Sequence, residues 1–327
     1  MLKKVNQQKG IIQLLPLFLI LATLSVVTLA IFPSLKNKIL NFFKNVPQVM
    51  VTPTPTPTET PTPTPTPKPV PTKTPTPKPA VSVTPKPTSA PPPVSAPPTS
   101  GYSRISVVSD AGTFTVSVGV ADISNTKVIV DTAADSDCSS NCPAYPLATF
   151  VSRSGAFAGI NGTYFCPVDY PSCAGKENTF DFLVMNKNKT YFNSDKNVYS
   201  TNPGVIFGAG YIRFVGAIQE WGRDTSPYGV LSNYPLLVAG GNVSFGGSSD
   251  PKLGSKGNRS FVANKGTLVY IGVVHSATVA ETARVLKAMG MDNALNLDDG
   301  GSTALWYGGY KVGPGRNIPN AILFAPR

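Results

Sequence analysis

The stretch best suited to chemistry is Ala294–Leu305, ALNLDDGGSTAL, where two adjacent carboxylates precede two glycines. Asp298 closes an alternating apolar run, which puts it at the C-terminal end of a strand, a usual place for ligand-facing groups. Gly300 and Gly301 have no β-carbon, so a bulky ligand can come close to the backbone there. Ser302 adds a hydroxyl. The same residues also spell a hairpin, because Asp-Gly between two alternating apolar runs is a strong turn signal. Successive strand side chains point to opposite faces. One of Asp298 and Asp299 is therefore expected to face a site and the other to face solvent or cap a turn, with Asp298 the first choice for chemistry.

A second candidate is Phe157–Pro167, FAGINGTYFCP. A strand runs into Asn161 and Gly162, and Asn161 offers both a donor and an acceptor to a sugar hydroxyl. Tyr164 and Phe165 would supply an apolar wall against a sugar face. The competing reading is an Asn-Gly turn followed by core aromatics. Arg259 in GNRSFVANKG and Arg316 in GPGRNIPNAILF sit beside turns. A planar guanidinium suits a phosphate or carboxylate, although either arginine equally fits a surface ion pair. His275 is the only histidine and is a possible base or ligand. No histidine–carboxylate cluster is present, and the loop with Asp131, Asp135 and Asp137 lacks the glycine of a calcium bend. The site is therefore expected to need neither metal nor cofactor.

The elements that must position these groups are mostly strands. RISVVS, FTVSVGVADI, KVIVDT, GVIFGA, YIRFVGAI, LLVAGGNVSF, SFVAN, TLVYIGVV, NALNLD and STALWY are short, β-branched or aromatic, and punctuated by Gly, Asn or Asp. Two segments read as helices. YPLATFVSRSG is the weaker, over about 145–155. The stronger starts at Thr278 with a capping box to Glu281, presents Val279, Ala283, Leu286 and Met289 on one face, and stops at Gly290. It lies between TLVYIGVV and NALNLD, so a crossover with parallel neighbouring strands is expected. The fold class is α+β, with mostly antiparallel mixed sheets and one or two packed helices over residues 101–327.

The first hundred residues are different. Residues 1–10 form a short basic tail, and Ile11–Phe32 is 22 residues without a charge, long enough to cross a hydrocarbon core of about 30 Å. A cleaved signal peptide is the alternative, but its apolar region is usually shorter. Residues 33–100 form a juxtamembrane segment and a linker in which proline alternates with threonine. Such a chain lacks amide hydrogens and apolar groups, and should extend as a disordered, polyproline-like stalk. The net charge of +11 is concentrated here: residues 1–100 carry +9 and residues 101–327 only +2. The folded part is nearly neutral, which argues against a nucleic-acid partner. Cys138, Cys142, Cys166 and Cys173 fall in two close pairs, and an even count in turn-rich segments fits disulfides in an oxidising compartment. Local pairing is expected among three connectivities, with a four-cysteine zinc site as the rival.

Taken together, GINGTYF, NRSFVA, LKAMG, NALNLDDGGST and RNIPNAIL, in that order, resemble the phosphodiester glycosidase family. The resemblance covers most of residues 101–327. One departure stands out: the family pattern reads Leu-Asp-Gly-Gly-Gly-Ser, and Asp299 replaces its first glycine. The resemblance implies cleavage of the bond between an anomeric carbon and a phosphate oxygen, in a carbohydrate-phosphate substrate. Asp298 would stabilise or attack the oxocarbenium-like centre, Arg259 and Arg316 would hold the departing phosphate, and Asn161 and Ser302 would position sugar hydroxyls. The membrane would be engaged through residues 11–32, with the domain outside the cytoplasm. The alternatives are a non-catalytic, stalk-displayed glycan- or cell-wall-binding module, and an accessory factor in exopolysaccharide assembly.

Overall fold

The computed structural model describes residues 96–327. The expected membrane span and most of the stalk lie outside the described residues. Among those described, no helix is long and apolar enough to cross a membrane.

The chain opens with β1 (Gly101–Ser109), β2 (Gly112–Asp122) and β3 (Thr126–Thr132), then α1 (Leu147–Arg153) and β4 (Ala158–Asn161). Next come β5 (Val184–Met185), β6 (Tyr191–Phe192), α2 (Lys196–Tyr199), β7 (Gly204–Gly208), β8 (Tyr211–Val215) and β9 (Gly229–Ser232). The last third holds β10 (Leu236–Ala239), β11 (Asn242–Val243), α3 (Pro251–Gly254), β12 (Gly257–Lys265), β13 (Leu268–Ala277), α4 (Val279–Ala288) and β14 (Asn293–Asn296). It ends with β15 (Leu305–Tyr307), β16 (Tyr310–Val312) and β17 (Asn320–Pro326).

These strands make three sheets, ordered β1-β2-β13-β12-β14-β10-β11, β16-β15-β4-β17-β3 and β6-β5-β9-β7-β8. Side-chain alternation decides what each face covers. In β12 and β13, Phe261, Ala263 and Tyr270 turn toward α4, while Val262, Val269 and Ile271 turn inward to meet Ile160, Ile322 and Phe324 of the second sheet. The far face of the second sheet packs Leu323 and Ala321 on Phe150 and Leu147 of α1. The third sheet adds Val205, Phe207 and Leu231 to the inter-sheet core. Both faces of the central strands are therefore buried, which is why TLVYIGVV reads as an almost unbroken apolar run.

Helix α4 forms as its sequence requires. The Thr278 hydroxyl accepts from the Glu281 amide at 3.1 Å, and the Glu281 carboxylate accepts from the Thr278 amide at 2.7 Å. Val279, Ala283, Leu286 and Met289 are all buried. The chain leaves through Gly290 in the left-handed region, at φ 75°.

The expectation of mixed sheets with parallel neighbours is corrected. β13 and β14 run parallel, as the crossover through α4 implies, but β12 lies between them and pairs antiparallel with both. Every strand pairing among the described residues is antiparallel. The four cysteines close two local disulfides, Cys138–Cys142 and Cys166–Cys173, which removes the zinc alternative. Disulfides of this kind fit an extracytoplasmic domain.

Candidate active site

The hairpin reading of ALNLDDGGSTAL is overturned. β14 ends in the first sheet and β15 starts in the second, so Leu297–Ala304 is a cross-over between sheets. It is held from both sides. The Leu297 amide donates to the Ser260 carbonyl of β12 at 3.0 Å, and the Asp298 amide donates to the Gly162 carbonyl after β4 at 2.9 Å. Gly300–Ser302 then forms one turn of 3-10 helix. Asp299 has φ −127° and ψ −176°, an extended conformation open to any residue, so an aspartate in place of the family's glycine costs no backbone strain. The left-handed position is the next one, Gly300, at φ 61°.

This cross-over forms the floor of a cleft of about 730 Å³. Asp298, Asp299, Gly300, Gly301, Ser302, Arg259, Arg316, Tyr164 and Phe165 all line it. The two aspartates do not split between cleft and solvent as strand alternation implied, because β14 ends at Asn296, before both of them. Asp299 is nearly enclosed, and Arg259 Nη1 donates to its Oδ2 at 3.2 Å. The Ser260 amide at 2.8 Å and Asn296 Nδ2 at 3.2 Å donate to the same carboxylate. Burial raises its pKa to about 6, with the Arg259 charge as the main opposing influence. Asp298 has no such cation in contact. Burial lifts it to about 7, against a hydrogen bond from Ser302 that holds it down, while the negative charge of Asp299 pushes it further up. Its Oδ1 accepts from the Asp299 amide at 2.9 Å. Two neighbouring carboxylates thus differ in partner, and Asp298 is the one that keeps its proton nearer neutrality.

Arg259 does not extend a free fork into the cleft. Its Nε donates to the Ala277 carbonyl at 3.0 Å, Nη1 to the Lys252 carbonyl at 3.0 Å, and Nη2 to the Ser255 carbonyl. With Asp299 as the remaining partner, it is a buried counter-charge, which corrects the expectation that it clamps phosphate. Arg316 is different. Its guanidinium rests on Gly301, where any β-carbon would collide with it, and its amide donates to the Gly301 carbonyl at 2.8 Å. Nη2 meets the exposed Asp169 carboxylate at 3.3 Å, and enclosed Nε has no protein acceptor. Gly301 therefore makes room for an arginine rather than a ligand.

Asn161 and Gly162 lie behind the cleft, not in it. Asn161 is fully buried: Nδ2 donates to the Asp298 carbonyl at 2.6 Å, and Oδ1 accepts from Ser260 Oγ at 3.0 Å and the Ala304 amide at 3.1 Å. Fully buried and outside the cleft lining, Asn161 positions Asp298 and does not reach a sugar hydroxyl. Gly162 is required because a β-carbon there would overlap the Asn320 side chain. Ser302 is 1 % exposed and acts on Asp298 rather than on a sugar. Tyr164 does form a wall: its hydroxyl accepts from Asn296 Nδ2 at 2.7 Å, and burial keeps it protonated. Phe165 shows the cleft only an edge, since most of its ring is buried against the α1 side of the core. His275 is outside the cleft, bonded to Ser117 Oγ at 2.9 Å and Asn258 Oδ1 at 3.1 Å, and burial lowers its pKa. The Cys166–Cys173 bridge closes the loop that delivers Tyr170 to the cleft.

Sequence reasoning missed Asp181, Tyr234, Lys252 and Lys256, which also line the cleft. Asp181 had a signal, an acidic residue between two phenylalanines in TFDFLV. Tyr234 and Lys256 sit in loops and Lys252 in the single turn of α3, with no local pattern to mark them.

The sequence pattern of the phosphodiester glycosidase family matches residues 154–325, more than half of the chain. The chain belongs to the phosphodiester glycosidase family. The match begins just before β4 and ends near the close of β17, so it takes in both segments that carry the aspartates and their supports. No curated relative matches the sequence. Among solved structures, the catalytic domain of zebrafish N-acetylglucosamine-1-phosphodiester alpha-N-acetylglucosaminidase, auto-inhibited by its pro-peptide, superposes with a TM-score of 0.54 at 14% identity, over 73% of this chain and 87% of that one. That likeness shows a shared fold. A hypothetical protein from Synechocystis (TM-score 0.49, 14% identity, 69% of this chain) and a putative exported protein from Burkholderia pseudomallei (TM-score 0.42, 11% identity, 65% of this chain) are more distant in shape. The chain spans 62% of the Synechocystis protein and 74% of the Burkholderia one.

Proposed function

We propose that this phosphodiester glycosidase is a membrane-anchored, extracytoplasmic hydrolase that cleaves a sugar-1-phosphodiester, releasing the sugar and a phosphomonoester. The observation that carries this reading is the unequal pair at the cleft floor: Asp299 is tied to a buried arginine, while Asp298 is lifted to about 7. Asp299 is the anion that faces the developing positive charge at the anomeric carbon. Asp298 gives its proton to the departing phosphate oxygen and, once ionised, takes one from the attacking water. Relative to the sequence expectation, the anionic role passes from Asp298 to Asp299. Arg316, with an enclosed nitrogen that lacks an acceptor, binds the phosphate, and Lys252 and Lys256 add positive charge along the same cleft. The uncharged span Ile11–Phe32 supplies the anchor, and the proline-threonine segment the stalk. The zebrafish protein is named for N-acetylglucosamine-1-phosphodiesters. A substrate of that class, or a surface polymer with the same linkage, fits the proposed chemistry.

The test is hydrolysis of the methyl diester of N-acetylglucosamine-1-phosphate by the full chain, followed as released reducing sugar. Asp298→Asn and Asp299→Asn are expected to lower kcat by about 100- to 10,000-fold. Full activity in both variants would refute the assignment. Tight binding of the diester with no turnover by the unaltered protein would favour the glycan-binding module.

A further inference from the structure

The cleft holds a third carboxylate that this mechanism does not use. Asp181 lies between Phe180 and Phe182 on the segment leading into β5, and it lines the same cleft as Asp298 and Asp299. Its backbone is pinned on every side. Asn193 Nδ2 donates to the carbonyls of both flanking residues, Phe180 at 2.5 Å and Phe182 at 3.2 Å. The Asp181 amide donates to the Tyr164 carbonyl at 3.2 Å. Phe180 stacks on Phe192 at 4.5 Å, and Phe182 packs on Tyr164 at 6.0 Å. The carboxylate itself accepts no hydrogen bond from any described residue, so a rigid segment presents an unpartnered acceptor to an open cleft.

Its position relative to the reacting groups follows from one short segment. The Asp298 amide docks on the carbonyl of Gly162 and the Asp181 amide on that of Tyr164. Gly162 and Tyr164 are two residues apart, so the segments bearing Asp298 and Asp181 dock on the same short stretch after β4, and both residues line one cleft.

The neighbours narrow what it can bind. The Asp181 carboxylate itself repels a phosphate, which the proposed reaction assigns to Arg316 of the same cleft. Lys176, with Lys196 of α2 and Lys252 of α3, acts on Asp181 and opposes a cation there. What remains is a neutral polyhydroxyl group lying against the aromatic faces of Tyr164 and Phe182, which describes the sugar ring itself. Asp181 is exposed, so a ligand entering the cleft can reach its carboxylate directly.

We propose that Asp181 is a specificity-determining residue of the cleft, accepting hydrogen bonds from ring hydroxyls of the substrate sugar and so selecting which sugar enters. The inference rests on the proposed sugar-phosphodiester reaction. An ionised acceptor that loses its hydroxyl partner weakens binding by about 10- to 100-fold. The experiment measures kcat and KM of the full chain and of its Asp181→Asn and Asp181→Glu variants on methyl diesters of N-acetylglucosamine-1-phosphate, glucose-1-phosphate and their singly deoxygenated analogues. Binding of the corresponding sugar-1-phosphates is measured in parallel by calorimetry. Asp181→Asn should raise KM about 10- to 100-fold for the hydroxyl-bearing sugar and leave kcat within a few fold. The unaltered protein and this variant should become equal on one deoxy analogue, and Asp181→Glu should recover part of the loss.

Unchanged KM and unchanged sugar preference in Asp181→Asn, alongside normal hydrolysis by the unaltered protein, overturn this inference and leave the reaction standing. No hydrolysis, but sugar-1-phosphate binding that depends on Asp181, overturns the reaction and keeps the selecting role. Failure to bind any of these sugar-1-phosphates overturns both.

Discussion

Asp298→Asn should make the protein more stable while making it inactive, and the size of the gain can be worked from the site. An aspartate raised from 3.8 to about 7 has an ionised form that the fold disfavours by about 4 kcal/mol relative to the open chain. Contact with water at the cleft lessens this, so a gain of about 2–3 kcal/mol is expected at pH 8. Asparagine preserves the local geometry, since its oxygen still accepts from the Asp299 amide and its nitrogen reaches cleft water. The pH dependence fixes the cause. Because the folded pKa is raised, the favourable contribution of Asp298 is complete below about pH 4 and is lost as pH rises through about 7. Asparagine does not titrate, so the two proteins should match at pH 4 and separate progressively toward pH 8. Urea unfolding at both pH values measures this, with the midpoint of the variant about 1 M higher at pH 8. A variant less stable than the unaltered protein at pH 8, or a difference that is the same at both pH values, would refute the reasoning.

The pH–rate profile of kcat/KM should be a narrow bell, rising as Asp299 ionises near about 6 and falling as Asp298 loses its proton near about 7; a plateau extending to pH 9 would contradict the acid role. Arg259→Met should destabilise the fold by about 3–5 kcal/mol, because it strands a buried carboxylate and three backbone carbonyls, and urea unfolding tests it. In the same variant the acid limb of the bell should move to higher pH, since Arg259 is the chief influence holding Asp299 down. Asn161→Ala should cost about 2–3 kcal/mol and lower kcat far more than it raises KM, because Asn161 sets the position of Asp298 without touching the cleft.

Sequence reached the parts of this site that depend on local chemistry. The α4 capping box and the glycine after the aspartates are each fixed within a few residues, and each is present, while the strand before Asp298 ends two residues earlier than expected, at Asn296. What it missed depends on distant packing. The Asp-Gly signal is the same whether the next strand returns to its own sheet or crosses to another, and only the pairing of β15 with β4 decides between them. Arg259 looks identical in sequence whether it is a free fork or an internal counter-ion. Its role is set by the carbonyls of Lys252, Ser255 and Ala277, which other elements bring to it. Asn161 had the right chemistry for a sugar contact, but its place between Asp298 and Ala304 gave that capacity to the backbone.

The cross-over that bears Asp298 is fastened to both sheets at once, through Ser260 on one and through Asn161 and Gly162 at the end of β4 on the other. Neither sheet alone can place the acid. During refolding, then, enzymatic activity should appear only after the two sheets have docked, later than the far-ultraviolet signal of strand formation. Turnover is thus a chemical clock for the closing of the sandwich.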